Sequence, residues 1–126
     1  MPGFKSVIAV LALIALTGIA RAQEGVAAAQ DRAAIEAMRA QGMDMAEPQT
    51  LEFAFYFPEK QGARRVMGAL AADGFSGELR TEGVDAFILF ARKTMRVDLE
   101  TLSGLRAQFE ALAREAGGSY DGWGLP

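Results

Sequence analysis

The side chains that most often carry catalysis are absent from this 126-residue chain, which contains neither histidine nor cysteine. The usual general base near neutral pH, the soft metal ligand, the thiol nucleophile and any disulfide are excluded with them. A serine triad lacks its histidine, and Ser76, Ser103 and Ser119 lie in no nucleophile-elbow sequence. Lys60 and Lys93 fall at element ends and read as solvated cations. Carboxylates remain. Asp44 and Glu47 lie three apart in a connector, and Asp98 and Glu100 stand where a helix begins. The first pair reads as a solvated loop and the second as complementing a helix N-terminus, with a metal or acid–base site as the alternative for each. The chain has no calcium loop of alternating acids and no glycine-rich phosphate loop between strand and helix. No cofactor or metal is expected, and the chain reads as non-enzymatic. Arg92, Lys93 and Arg96 could receive an acidic partner or an anion, or form the polar end of a strand.

One stretch stands apart. "SYDGWG" near the C-terminus holds the single tryptophan, Trp123, three residues from the chain end, where composition is usually plain and order low. Asp121 before Gly122 is ordinary turn chemistry. Tyr120 and Trp123 have two readings: they plug the end of a sheet, or they anchor a protein partner, since tyrosine and tryptophan dominate interface hot spots.

The elements that must position this stretch are legible from periodicity. Residues 23–42 are alanine-rich with a thin apolar stripe of Ala34, Ile35 and Met38, which suggests a helix on the domain surface or partly frayed. In "QTLEFAFYFPE", Leu51, Phe53, Phe55 and Phe57 alternate with Glu52, Ala54 and Tyr56, a strand that Pro58 ends. From Lys60 to Asp73 the spacing turns helical through Ala63, Val66, Met67, Leu70 and Ala71, with Gly74 as cap. "FSGELRTEG" alternates more weakly and suits an edge strand. A tight turn is expected at Glu82 and Gly83. "VDAFILFARK" is apolar at both parities and should be a central strand. Asp98 is a plausible N-cap for the strongest helix, striped by Leu99, Leu102, Leu105, Phe109, Leu112, Ala113 and Ala116.

The order is helix, then β-α-β-β-α and a terminal element. If Ser119 to Trp123 forms the fourth strand, the fold is α+β, a ferredoxin-like βαββαβ with an antiparallel sheet and an extra N-terminal helix. Two helices then cover one sheet face and leave the other open, toward which Tyr56, Ile88 and Phe90 point. The N-terminal helix or a second copy of the chain is expected to cover it.

Ahead of all this, residues 1–22 read as a signal peptide: Lys5, an apolar run from Val7 to Leu16, and a small-x-small site at Ala20 to Ala22. The run is short for a stable membrane span. Cleavage after Ala22 would place the remaining 104 of the 126 residues in the periplasm or outside the cell. It would also remove two cations and no acid, taking the net charge from −3 to −5. An acidic domain without a basic face is not expected to bind nucleic acid directly. The expected organisation is signal peptide 1–22, helix and connector 23–47, and one ferredoxin-type domain 48–126.

At Tyr120, Asp121, Gly122, Trp123 and Gly124, following a leucine-patterned helix, the chain resembles the ribonuclease E inhibitor RraB family (regulator of ribonuclease activity B). "TLEFAFYF", a helix ending in "DGF", and "LFARKTMRVDLETL" support the resemblance, which spans most of residues 43–123. It implies a small non-catalytic domain of ferredoxin-like type that regulates or inhibits by protein contact. It further implies ribonuclease E as partner and Tyr120, Asp121, Gly122 and Trp123 as partner-binding residues. Two other readings stand beside an exported binding module: a cytoplasmic ribonuclease E regulator translated from a downstream start such as Met38 or Met43, and a small-ligand domain using carboxylates.

Overall fold

A computed structural model describes residues 25–126; the signal-peptide reading of residues 1–22 lies outside the described residues. The chain forms a helix over residues 25–40 (α1). Then come β1 (Gln49–Phe57), α2 (Lys60–Ala72), β2 (Ser76–Gly83), β3 (Ala86–Met95), α3 (Leu99–Glu115) and β4 (Ser119–Gly124). The four strands make one sheet in the order β2-β3-β1-β4, with every neighbouring pair antiparallel. That is the ferredoxin-like order with one helix added in front.

The alternation of β1 sets the layers. Leu51, Phe53, Phe55 and Phe57 are fully buried on the face that α2 and α3 cover, joined there by Leu89 and Ala91 of β3. The helices contribute Ala63, Val66 and Leu70 from α2 and Leu102, Phe109 and Ala113 from α3. Phe109 is the hub, with ring centroids 5.2 Å from Phe53, 5.3 Å from Phe55, 5.6 Å from Phe75 and 5.4 Å from Tyr120. Its contacts with Phe53, Phe75 and Tyr120 are edge-to-face, the arrangement that ring quadrupoles favour. β2 is an edge strand and mostly exposed, in line with its weaker alternation. Gly118 lets the chain leave α3 close under β1: a Cβ there would lie 2.3 Å from the Tyr56 carbonyl oxygen.

Three expectations are corrected. The β2–β3 turn falls at Val84 and Asp85 rather than at Glu82 and Gly83, because β2 stays paired to Gly83, opposite Ala86. Tyr56 donates its hydroxyl to the Asp85 carbonyl at 3.0 Å, fixing that turn, while Val84 at its tip is 90% exposed. Second, only the frayed alternative for α1 is dropped: the helix lies on the surface with most residues exposed, while Ile35 and Met38 are buried in the common core and Asp31 is buried with them. A narrow stripe suffices for a helix that fills the single line between α3 and the β4 side of the sheet. Third, because α1 joins the helix-side core, it does not cover Tyr56, Ile88 and Phe90, none of which belongs to that core.

Candidate functional site

The "SYDGWG" stretch is the fourth strand, pairing with β1. Tyr120 and Trp123 are three apart, so in a regular strand they would point to opposite faces. They do not. Tyr120 pairs with Phe55 and Trp123 with Phe53, and the register slips between them at Asp121, a β-bulge that turns both aromatics toward the helices. The bulge requires Gly122, whose φ of 119° is a conformation that side-chain-bearing residues rarely adopt. The Tyr-Asp-Gly-Trp spacing is thus a device for placing two aromatic rings on one side of an edge strand.

Trp123 is held by Asp31. The indole Nε1 donates to Asp31 Oδ1 at 2.8 Å, and the Arg106 guanidinium donates to Oδ2 at 2.5 Å. Helix α1, helix α3 and strand β4 therefore meet at one carboxylate. The Asp31 and Arg106 side chains are only 11% and 13% exposed, so the pair lies in a poorly solvated seam where its charge-assisted bonds are strong. Tyr120 packs beside it, 5.2 Å from the Phe55 ring centroid. Burial, reinforced by the Asp31 charge, pushes the Tyr120 phenol well above its ordinary range, so it stays neutral.

Nothing in the reading of the sequence singled out Asp31 or Arg106, yet a signal was present. Asp31, Ile35 and Met38 fall at spacings of four and three, on one face of α1. Arg106 falls four after Leu102 and three before Phe109, on the buried face of α3. An acid on one apolar stripe and a base on another are a candidate buried pair.

The other polar candidates are dispersed. Asp98 caps α3, accepting from the Thr101 amide at 3.2 Å and its hydroxyl at 2.8 Å. The hydroxyl bond is the main cause that holds its carboxyl below the usual 3.8, followed by the amide bond. Asp44 closes a turn by accepting from the Ala46 amide at 3.0 Å. Arg92 and Lys93 are neighbours on β3 and so point to opposite faces. Arg92 pairs with Glu52 at 2.7 Å on the open side, and Lys93 donates to the Asp73 carbonyl at 2.8 Å on the helix side. That separation splits the basic cluster in two. Among the described residues, no group of three or more acidic side chains is placed to hold a metal ion, and no helix is long and apolar enough to cross a membrane.

Fold and site together define a small α+β domain of ferredoxin-like order, closed by a bulged aromatic strand that an N-terminal helix clamps. A family model, Regulator of ribonuclease activity B (RraB), matches residues 28–125, taking in α1 as well as the sheet and both covering helices. The chain belongs to the RraB family. No curated protein sequence matches it.

Proposed function

We propose that this protein regulates a ribonuclease by direct protein contact and catalyses no reaction itself. The observation that carries the reading is the family match over residues 28–125, whose description names regulation of ribonuclease activity. The side-chain chemistry agrees with it: the most buried carboxylate, Asp31, is consumed in tying Trp123 and Arg106 together. Tyr56, Ile88 and Phe90 form a half-buried apolar strip on the sheet face away from α2 and α3, with the Arg80 guanidinium over the Phe90 ring, and such strips are used by protein partners. By resemblance the partner is ribonuclease E. The test is the cleavage rate of purified ribonuclease E with and without the full chain, alongside co-elution of the two proteins. Inhibition with co-elution is expected; an unchanged rate and separate elution would overturn the reading.

Export is a second, competing reading, supported by Lys5, the apolar run and Ala20 to Ala22, and it would move the partner from ribonuclease E to the envelope. An exported chain would meet envelope proteins, whereas one retained in the cytoplasm would meet ribonuclease E. Intact mass of the protein recovered from separated periplasm and cytoplasm decides between them: a periplasmic species beginning at Gln23 supports export, and a cytoplasmic species beginning at Met38 or Met43 overturns it. Tyr120 and Trp123 face inward in β4, so within this proposal their part in partner binding is to hold the strand. The exposed Asp121 is the charged member of the motif open to a partner.

A further inference from the structure

Beside β4, a groove of about 390 Å³ runs between α1 and the open face of the sheet. Its floor is Ala54, Gly122 and Gly124, and the sheet register explains why they form a continuous surface: Gly122 lies opposite Ala54, and Gly124 opposite Glu52. The floor is nearly bare backbone. A Cβ added at Gly122 or Gly124 would meet no atom within 4 Å. Gln30, Asp31 and Ala34 of α1 form one wall. On the other side the next residue across the sheet from Ala54 is Phe90, followed by the pair Tyr56 and Ile88, so the groove opens onto the apolar strip that α1 leaves free.

The charged side chains that line this groove are acidic, with the Arg106 and Arg92 guanidiniums behind two of them. Asp31, Glu52 and Asp121 line it, and no lysine or arginine does. Asp31 and Glu52 are engaged by Arg106 and Arg92, but Asp121 is exposed. Among the described residues its carboxylate accepts only from the Ser119 hydroxyl, at 3.2 Å. A polyanion would be repelled here, all the more by a chain whose net charge is −3. A long apolar stem ending in a cation matches both features, with methylenes over the glycine and alanine floor and a planar head on the free carboxylate.

We propose that this groove receives an arginine side chain from a basic, extended segment of a protein partner. The inference rests on the protein-contact reading above and names the chemistry of the segment that would be recognised.

Trp123 lines the groove and is the only tryptophan, so its emission reports on occupancy without a label. The full chain is titrated with the peptide Ser-Arg-Ser-Arg-Ser-Arg, with its counterpart carrying glutamate for arginine, and with a decamer of uridylate. Saturable change with the arginine peptide alone is expected. It should vanish in Gly124→Leu, which fills the groove, and weaken about three-fold in Asp121→Asn, the size of a partly exposed ion pair. Circular dichroism checks that Gly124→Leu is folded, and should that variant not fold, Asp121→Asn decides alone. No response to the arginine peptide, an equal response in both variants, or a response to uridylate instead would overturn the proposal. So would a dimer that Gly124→Leu dissociates, which would place a second copy in the groove. Inhibition of ribonuclease E by wild type and Gly124→Leu alike overturns the groove alone. Peptide binding that Gly124→Leu abolishes supports the groove even where ribonuclease E is not inhibited, a result that fails only the wider reading.

Discussion

Asp31→Ala should cost this domain about 3 kcal/mol, because one small side chain satisfies two buried donors from two other elements. Both members of the ion pair are nearly nine-tenths buried. Removing one partner of such a pair typically costs about 3–5 kcal/mol, since the other charge is left desolvated and uncompensated. The orphaned Trp123 N–H adds a desolvation penalty of about 1–3 kcal/mol. The two costs overlap, and the groove beside Asp31 lets water reach the vacated space, so the low end applies. For about 100 ordered residues, 3 kcal/mol lowers Tm by roughly 12–24 °C. The assay is urea unfolding of the full chain, followed in parallel by Trp123 fluorescence and far-ultraviolet circular dichroism. Ile35 and Met38 tie α1 into the common core, so both midpoints should fall together. Arg106→Ala should behave alike. The double variant Asp31→Leu with Arg106→Met should recover the ion-pair share of the loss, since neither charge is then buried alone, while the Trp123 N–H stays unpaired. A loss below about 1 kcal/mol would refute the reasoning, because it would mean that the pair is effectively solvated. A fluorescence midpoint that falls while the dichroism midpoint stays would refute it too, by showing that α1 detaches without the domain.

Gly122→Ala should lose about 1–3 kcal/mol, the cost of holding a side-chain-bearing residue at a φ of 119°, read from the urea midpoint. A neutral result would show that the β4 bulge can relax. Phe109→Ala should lose about 3–5 kcal/mol by opening a cavity among Phe53, Phe55, Phe75 and Tyr120, measured the same way. Asp98 gives a pH signature. Its folded carboxyl titrates below the unfolded 3.8, so its capping contribution is full above that value and lost as pH falls through the folded one. Across a series of urea midpoints from pH 6 to pH 2, Asp98→Asn should therefore lose less stability than wild type below pH 4, and identical acid limbs would count against the cap.

Much of the fold was legible because each element advertises itself locally. The period of two in β1, the helical stripe of α3 and the mixed parity of β3 follow from which faces are buried, and the structure keeps all three. The Asp98 cap is also local, since it concerns residues within one turn of the helix end. The β2–β3 turn was misplaced by two residues, because glycine can stay in a paired strand as readily as it can start a turn, and only the pairing with Ala86 chooses.

What the sequence alone determined is the order of elements, the buried face of β1 and the absence of histidine and cysteine chemistry, since these depend on residue type and on spacing along the chain. What only the tertiary structure decided is how Trp123 is held. Asp31 and Arg106 lie 75 residues apart and Asp31 and Trp123 lie 92 apart, so no local pattern links them. The bulge at Asp121 reverses the face that simple alternation would assign to one of the two aromatics, and it exists only because β4 must follow β1 while both rings seek the core. The position of α1 was settled in the same way: its thin stripe became sufficient once α3 and β4 had left a seam just wide enough to bury Asp31, Ile35 and Met38.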